Sequence, residues 1–224
     1  MKKLTVLIFA LLSFFINESF GQNSKYEIGA EGGAGLTSLR GDSNASFDAA
    51  LGFTGGISFQ YNISKFFSFR TNISYEKKGA RDKITYVDIN GSEIGESYMH
   101  VNYSYIVLPL LARVSFGKDI KFIVNGGPYL GYLTKSTSVY DAIAEVPEVT
   151  NDNTGNTERF DFGLTAGTGV LFPVKERVLI SLEIRDNLGL SNTYDGENKA
   201  DFSLKNNSLS LLAGVAYRFG MNTN

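Results

Sequence analysis

FSFRTNISYE, residues 67–76, is the stretch that decides the fold. Its Phe67, Phe69, Thr71, Ile73 and Tyr75 fall on one face of an extended chain, and Ser68, Arg70, Asn72, Ser74 and Glu76 on the other. That is the period of two of a β-strand and not the roughly 3.6-residue period of a helix. Working outward, the alternation recurs. Phe160, Phe162, Leu164, Ala166, Thr168 and Val170 alternate with Asp161, Gly163, Thr165, Gly167 and Gly169. Leu209, Leu211, Ala213, Val215, Tyr217 and Phe219 alternate with Ser210, Leu212, Gly214, Ala216 and Arg218. Eight such segments are expected, near 26–36, 50–61, 66–79, 102–116, 120–132, 159–173, 178–189 and 207–220. An even number lets an antiparallel meander close with both ends on one side.

The connections alternate in length. Asn62 to Lys65, Gly117 to Asp119 and Val174 to Arg177 read as tight turns, whereas 37–49, 80–101, 133–158 and 190–206 are long and rich in Asn, Asp, Ser and Gly. Short turns on one side and long loops on the other are the layout of an outer-membrane barrel, with the short turns in the periplasm. Within the second long stretch, Asn90-Gly91 is a hairpin signal, so the flanking strands are expected to run on past the membrane.

A water-soluble barrel would also alternate, so the decision rests on what each face carries. Lys65, Lys83, Lys118, Lys135, Lys175, Lys199 and Lys205 read as turn or loop residues, and Lys25, Lys77, Lys78 and Lys121 as strand ends, leaving no strand centre with a lysine. A narrow lumen favours small, amide and paired ionic side chains instead. Aromatics form two bands on the apolar face. Tyr26, Phe59, Tyr61, Phe67, Phe116, Phe122, Phe172, Tyr217 and Phe219 lie near the short turns, and Phe53, Tyr75, Tyr132, Phe160 and Phe162 near the long loops. Such bands are the girdles of a bilayer-spanning barrel. The expected fold is therefore all-β: an eight-stranded, antiparallel, up-and-down transmembrane β-barrel with short periplasmic turns and long extracellular loops.

Glu31, Arg70, Arg113, Glu183 and Arg185 project from the polar face at roughly mid-height and are the candidate ion-pair network of the lumen. A buried unpaired charge is costly, so mixed signs are what a closed interior needs. Eight strands leave room only for side chains, and a sealed tube is expected.

The N-terminus fits export. Lys2 and Lys3 precede a mostly apolar run from Leu4 to Ile16, and Ser19-Phe20-Gly21 supplies small residues, so 1–21 reads as a signal peptide cleaved between Gly21 and Gln22. The run is too short for a spanning helix, which needs about 20 residues. Residues 22–224 then form one barrel domain, with no second apolar run and no linker.

Chemistry is sparse. The 224 residues contain no Cys and one His, which removes disulfides and thiolate metal sites, and the formal charge of −2 leaves no basic stripe for nucleic acid. No cofactor or metal is expected. The glycines Gly29, Gly32, Gly33, Gly35 and Gly163, Gly167, Gly169 are not followed by helices, so they read as relief of crowding in a narrow barrel and not as phosphate loops. His100 with Ser97 and Glu96 imitates part of a hydrolytic site, but a nucleophile needs a base in reach and an orienting third group, so no catalytic residue is assigned and no enzyme is expected. The stretch from Lys135 to Arg159 carries Asp141, Glu145, Glu148, Asp152 and Glu158. Within it Asp152, Asn153 and Asn156 are a weak Ca²⁺ candidate, set against a plainer reading as a solvated acidic loop facing lipopolysaccharide.

The stretches NYSYIVLPLLARV, FIVNGGPYLGYL, FDFGLTAGTGVLF, SLEIRDNLGLSN and SLSLLAGVAYRFG resemble, in order, the PorT-like outer-membrane β-barrel family of the Bacteroidetes. The resemblance implies a link to machinery that exports proteins across the outer membrane, and carries over no catalytic residue. Expected partners are outer-membrane lipid, lipopolysaccharide and a secretion-machinery or surface protein. A narrow solute channel and an outer-membrane lipid-modifying enzyme are the alternatives.

Overall fold

The computed structural model describes residues 24–41, 47–87, 89–143, 147–194 and 203–221. The expected leader and its Gly21/Gln22 cleavage site lie outside the described residues, as do Glu145 and Lys199. The strands are β1 (Ser24–Gly41), β2 (Asp48–Asn62), β3 (Phe67–Val87), β4 (Glu93–Phe116), β5 (Lys121–Tyr140), β6 (Val149–Asp152), β7 (Phe160–Lys175), β8 (Val178–Gly189) and β9 (Leu204–Met221). A 3₁₀ turn, Thr154–Asn156, follows β6. Every pairing is antiparallel, the order is β4-β3-β2-β1-β9-β8-β7-β5, and the β4–β5 pairing closes the ring. Eight strands therefore make the barrel, and the four residues of β6 attach to the far end of β5 outside it.

Closure follows from the two faces. Leu51, Ile57, Leu110 and Ile73 are 77%, 60%, 57% and 55% exposed on the outer wall. So continuous an apolar surface does not survive in water, and in lipid every backbone group must find a partner within the protein. A ring meets both demands because it has no edge. Among the described residues no helix is long and apolar enough to cross a membrane; here strands do the crossing. Inside, glycine makes the curvature workable: a Cβ on Gly33 would come within 1.9 Å of the Leu211 carbonyl oxygen on β9.

Three strands, β3, β4 and β5, overshoot farthest. A tilted strand crosses a bilayer in about 9–11 residues, yet β3 has 21 and β4 has 24. The stretch 80–101, expected to be mostly loop, is a ladder running from Ala80↔Val101 up to Val87↔Glu93, with Gly91 at φ +83° in the turn that Asn90-Gly91 signals. Much of 133–158 is likewise ordered, with β5 continuing to Tyr140 and pairing with β6 from Tyr140↔Val149 to Thr137↔Asp152. Strand ladders replace loop there because cross-strand pairing continues past the membrane wherever a partner strand is available.

The lysine reading needs correction. Lys83, Lys135, Lys175 and Lys205 fall within strands, and Lys78, read as a strand end, is buried in the lumen. The overhang accounts for Lys83, since strand beyond the bilayer has no reason to exclude an ammonium, and Lys135 stands at the outer rim just past the aromatic band, where an ammonium reaches the headgroups. Lys78 is tolerated because two carboxylates face it, as described next.

Candidate functional site

The lumen is filled by charge in three tiers. At the short-turn mouth, Arg218 Nε pairs with Glu27 Oε1 at 3.2 Å, and Asn62 Nδ2 donates to the same carboxylate oxygen at 3.2 Å. A recess of about 70 Å³ opens there between Glu27, Asn62, Lys121 and Arg218.

At mid-height the structure brings all five residues singled out in the sequence into one chain of contacts. Arg70 Nη2 donates to Glu31 Oε2 at 2.5 Å, and Arg185 Nη1 to Glu31 Oε1 at 2.7 Å. Arg185 Nε turns to Glu183 Oε1 at 2.7 Å, whose other oxygen accepts from Arg113 Nη2 at 2.6 Å. Asn72 Nδ2 also donates to Glu31, and Gln60 Oε1 accepts from Arg113 Nη1 at 3.3 Å. The side chains come from β1, β3, β4 and β8, so the chain ties opposite walls together. The space left beside Arg70 and Arg113 is about 10 Å³, room for about one water molecule.

The upper tier was missed in the sequence. Lys78 Nζ sits 3.4 Å from Asp161 Oδ2 and 3.5 Å from Glu76 Oε2, with the Tyr129 and Tyr105 ring centroids at 4.7 and 5.4 Å. Asp161 Oδ2 also accepts from Tyr129 Oη at 3.2 Å and Asn206 Nδ2 at 3.1 Å, and its Oδ1 from Ser191 Oγ at 3.0 Å. Glu76 and Asp161 share the inward parity of Arg70 and Gly163, and that parity was the available signal. Lys78 shares it too and was passed over because lysine is the side chain a lumen usually excludes. Among the described residues the ion pairs of the three tiers join five acids, Glu27, Glu31, Glu76, Asp161 and Glu183, to five bases, Arg70, Lys78, Arg113, Arg185 and Arg218, with Lys121 beside them only at the short-turn recess. Balanced pairs are the arrangement in which so much buried charge is tolerable.

Other sequence candidates lie outside the barrel. His100 Nε2 is 3.0 Å from Asp141 Oδ2, Ser97 Oγ donates to the Asp141 backbone carbonyl at 3.0 Å, and Glu96 pairs with Lys83 at 2.5 Å. Ser97 and His100 thus both meet Asp141, one at its carbonyl and the other at its carboxylate, but no hydrogen bond joins the serine hydroxyl to the imidazole. Asp152, Asn153 and Asn156 share one tight turn. The Thr154 hydroxyl and, at 2.9 Å from Oδ1, the Thr154 backbone N–H hold the Asp152 carboxyl below the ordinary aspartate range, and Asn153 Nδ2 donates to Ser138 Oγ at 2.7 Å. Among the described residues no three acidic or histidine side chains converge as a metal site would require.

A closed ring with a lipid-compatible, aromatic-banded outside and a charge-packed inside defines a small transmembrane β-barrel protein. The chain belongs to the outer membrane protein beta-barrel domain family, whose model matches residues 20–195, and its place is the outer membrane. Among solved structures, Neisserial surface protein A is 16% identical with a TM-score of 0.49, over 89% of this chain and 100% of its own. Outer membrane protein W of E. coli is 14% identical with a TM-score of 0.42, over 89% and 100%. The attachment invasion locus protein of Yersinia pestis is 13% identical with a TM-score of 0.43, over 87% and 99%. None of the curated proteins matches the sequence.

Proposed function

We propose that this protein is a lumen-sealed scaffold of the outer membrane whose work is done by its extracellular hairpins in contact with a partner protein. The observation that carries the reading is the ion-pair chain Arg70–Glu31–Arg185–Glu183–Arg113, which crosses the tube with room for about one water beside it. A barrel so filled offers no path for a hydrated solute. What it does offer is outside. The β3–β4 hairpin presents Val87, Ile89 and Ile94 at 57%, 102% and 58% exposure, apolar side chains of the kind that gain from burial against another protein. The resemblance of the strand motifs to the PorT-like barrels of the Bacteroidetes favours a protein-export assembly as that partner.

Two experiments test this. Planar-bilayer recording of the purified barrel is expected to show no stable open level, and a steady porin-sized conductance would make it a solute channel. Affinity purification of the intact protein from its own outer membranes, beside a variant whose 84–97 hairpin is shortened to an Asn-Gly turn, is expected to recover a partner only with the full hairpin.

A further inference from the structure

We propose that Lys77 and Lys135 hold a phosphate group of an outer-leaflet phosphoglycolipid against the outer wall of the barrel. Ladder registry puts the pair in one row: Lys77 lies opposite Ser104, and Ser104 opposite Lys135. Two cross-strand steps of about 5 Å each separate the lysine backbones, so both ammonium groups reach a single anion placed over Ser104.

Alternation alone would turn Lys135 into the lumen. Tyr132 faces out at 49% exposure, and Leu133 faces in at 0%. A bulge then shifts the register between Ser104 and Tyr105, so that Leu133 opposes Tyr105, Lys135 opposes Ser104 and Thr134 is the extra residue. Thr134 and Lys135 are consequently both exposed, and Ser136 is again buried. Re-aiming a side chain is what a bulge does, and here it delivers a second cation to the wall where Lys77 already stands. The row is further braced by Tyr75 Oη donating to Ser104 Oγ and Thr134 Oγ1 donating to the Ser104 carbonyl, both at 2.9 Å.

Height selects the ligand. Phe53 stands in the row itself, opposite Lys77, and meets Tyr75 just below at 5.8 Å between centroids, while Tyr132, on the barrel side of the bulge, meets Phe160 at 5.6 Å. Aromatic belts mark the boundary of the acyl region, so the ammonium groups stand at headgroup level on the lipid-facing side. Neither lysine has an ion pair or hydrogen bond to another described residue, whereas Lys83 and Lys78 each have carboxylate partners. The Asp152 carboxylate acts on Lys135 from beyond ion-pair distance, and two cations with no contacting carboxylate, facing lipid at that level, match the phosphate of a lipid headgroup. The site rests on the outer-membrane location and is independent of the sealed lumen, so a conducting barrel would leave it standing.

Native mass spectrometry of the intact barrel in detergent, mixed with bisphosphorylated lipid A, with dephosphorylated lipid A, or with inorganic phosphate, tests it. The wild type is expected to retain one phosphorylated lipid A and to lose it on dephosphorylation. Lys77→Gln/Lys135→Gln is expected to bind on the order of 30-fold more weakly, at about fivefold per lysine, while Lys77→Arg/Lys135→Arg retains the adduct. Lys65→Gln/Lys175→Gln, at the short turns, should bind as the wild type does. Heat-modifiable migration on gels verifies that each variant is folded. No adduct with the wild type, equal retention by the double glutamine variant, or displacement by inorganic phosphate would overturn the proposal.

Discussion

Arg185 reaches Glu31 over an intervening strand: its Nη1 donates to Glu31 Oε1 at 2.7 Å although β9 lies between β8 and β1. The crossing needs the small residue that β9 supplies. Gly214 stands opposite both Glu31 and Ser181, and a Cβ there would come 3.2 Å from Glu31 Cβ and 2.6 Å from Ser181 Oγ. Mid-lumen charges therefore bond across the tube as well as along the sheet.

The network has a weak point at Glu183, whose two oxygens serve Arg185 and Arg113 separately. Arg185 keeps Glu31 if Glu183 is lost, but Arg113 keeps only the amide of Gln60. Glu183→Leu is predicted to destabilise the barrel by about 3–5 kcal/mol in urea unfolding from lipid vesicles, and Glu183→Leu/Arg113→Met to recover most of that. A double variant no more stable than the single one would refute the pairing.

Gly167 makes room for that carboxylate. A Cβ on it would meet Asn125 Oδ1 at 2.8 Å and Glu183 Oε1 at 2.9 Å, whereas one on Gly155 would meet nothing within 4 Å. Gly167→Ala should cost about 1–3 kcal/mol, since Glu183 is held by two arginines and yields poorly, and Gly155→Ala should be close to neutral. Equal unfolding midpoints for the two variants would contradict this.

Asp161 fastens the β8–β9 connection to the barrel. Its Oδ1 accepts from Ser191 Oγ, which in turn accepts from the Phe162 backbone N–H at 2.9 Å. Asp161→Ala is predicted to speed proteolytic cleavage between 190 and 204 by about tenfold, from a charge-assisted bond worth about 1.5–3 kcal/mol, and to leave the β2–β3 turn untouched. Unchanged cleavage would show that the connection is held otherwise.

The β5–β6 hairpin carries a pH signature. Thr154 donates to the Asp152 carboxylate through its hydroxyl and its backbone N–H, and this lowers the Asp152 pKa below the ordinary 3.8. A depressed folded pKa contributes stability that is present above the unfolded value and is lost as pH falls through the folded one. The Thr154 amide resonance should therefore titrate with a midpoint below 3.8, and Thr154→Ala should return the Asp152 midpoint toward that value. A midpoint at or above it in the wild type would contradict the bond.

Much of the barrel was legible locally. The alternation in 67–76 already separates Phe69 and Ile73, on the lipid wall, from Arg70, Asn72 and Ser74, in the lumen. The five mid-height charges were recognisable because they interrupt runs of small polar residues. Lys78 and Asp161 were less so, because a buried lysine is plausible only once its partners are known, and Asp161 is 83 residues away from it.

By itself, then, the amino-acid sequence determined the strand period, the wall each side chain faces and the banding of its aromatics, because face is a matter of neighbours one and two residues apart. Tertiary structure alone decided which charges meet, how far β3, β4 and β5 stand out of the membrane, and that Lys135 points outward at the Thr134 bulge. Those depend on register between strands, and a shift of one residue reverses every face while leaving the sequence pattern of each strand unchanged.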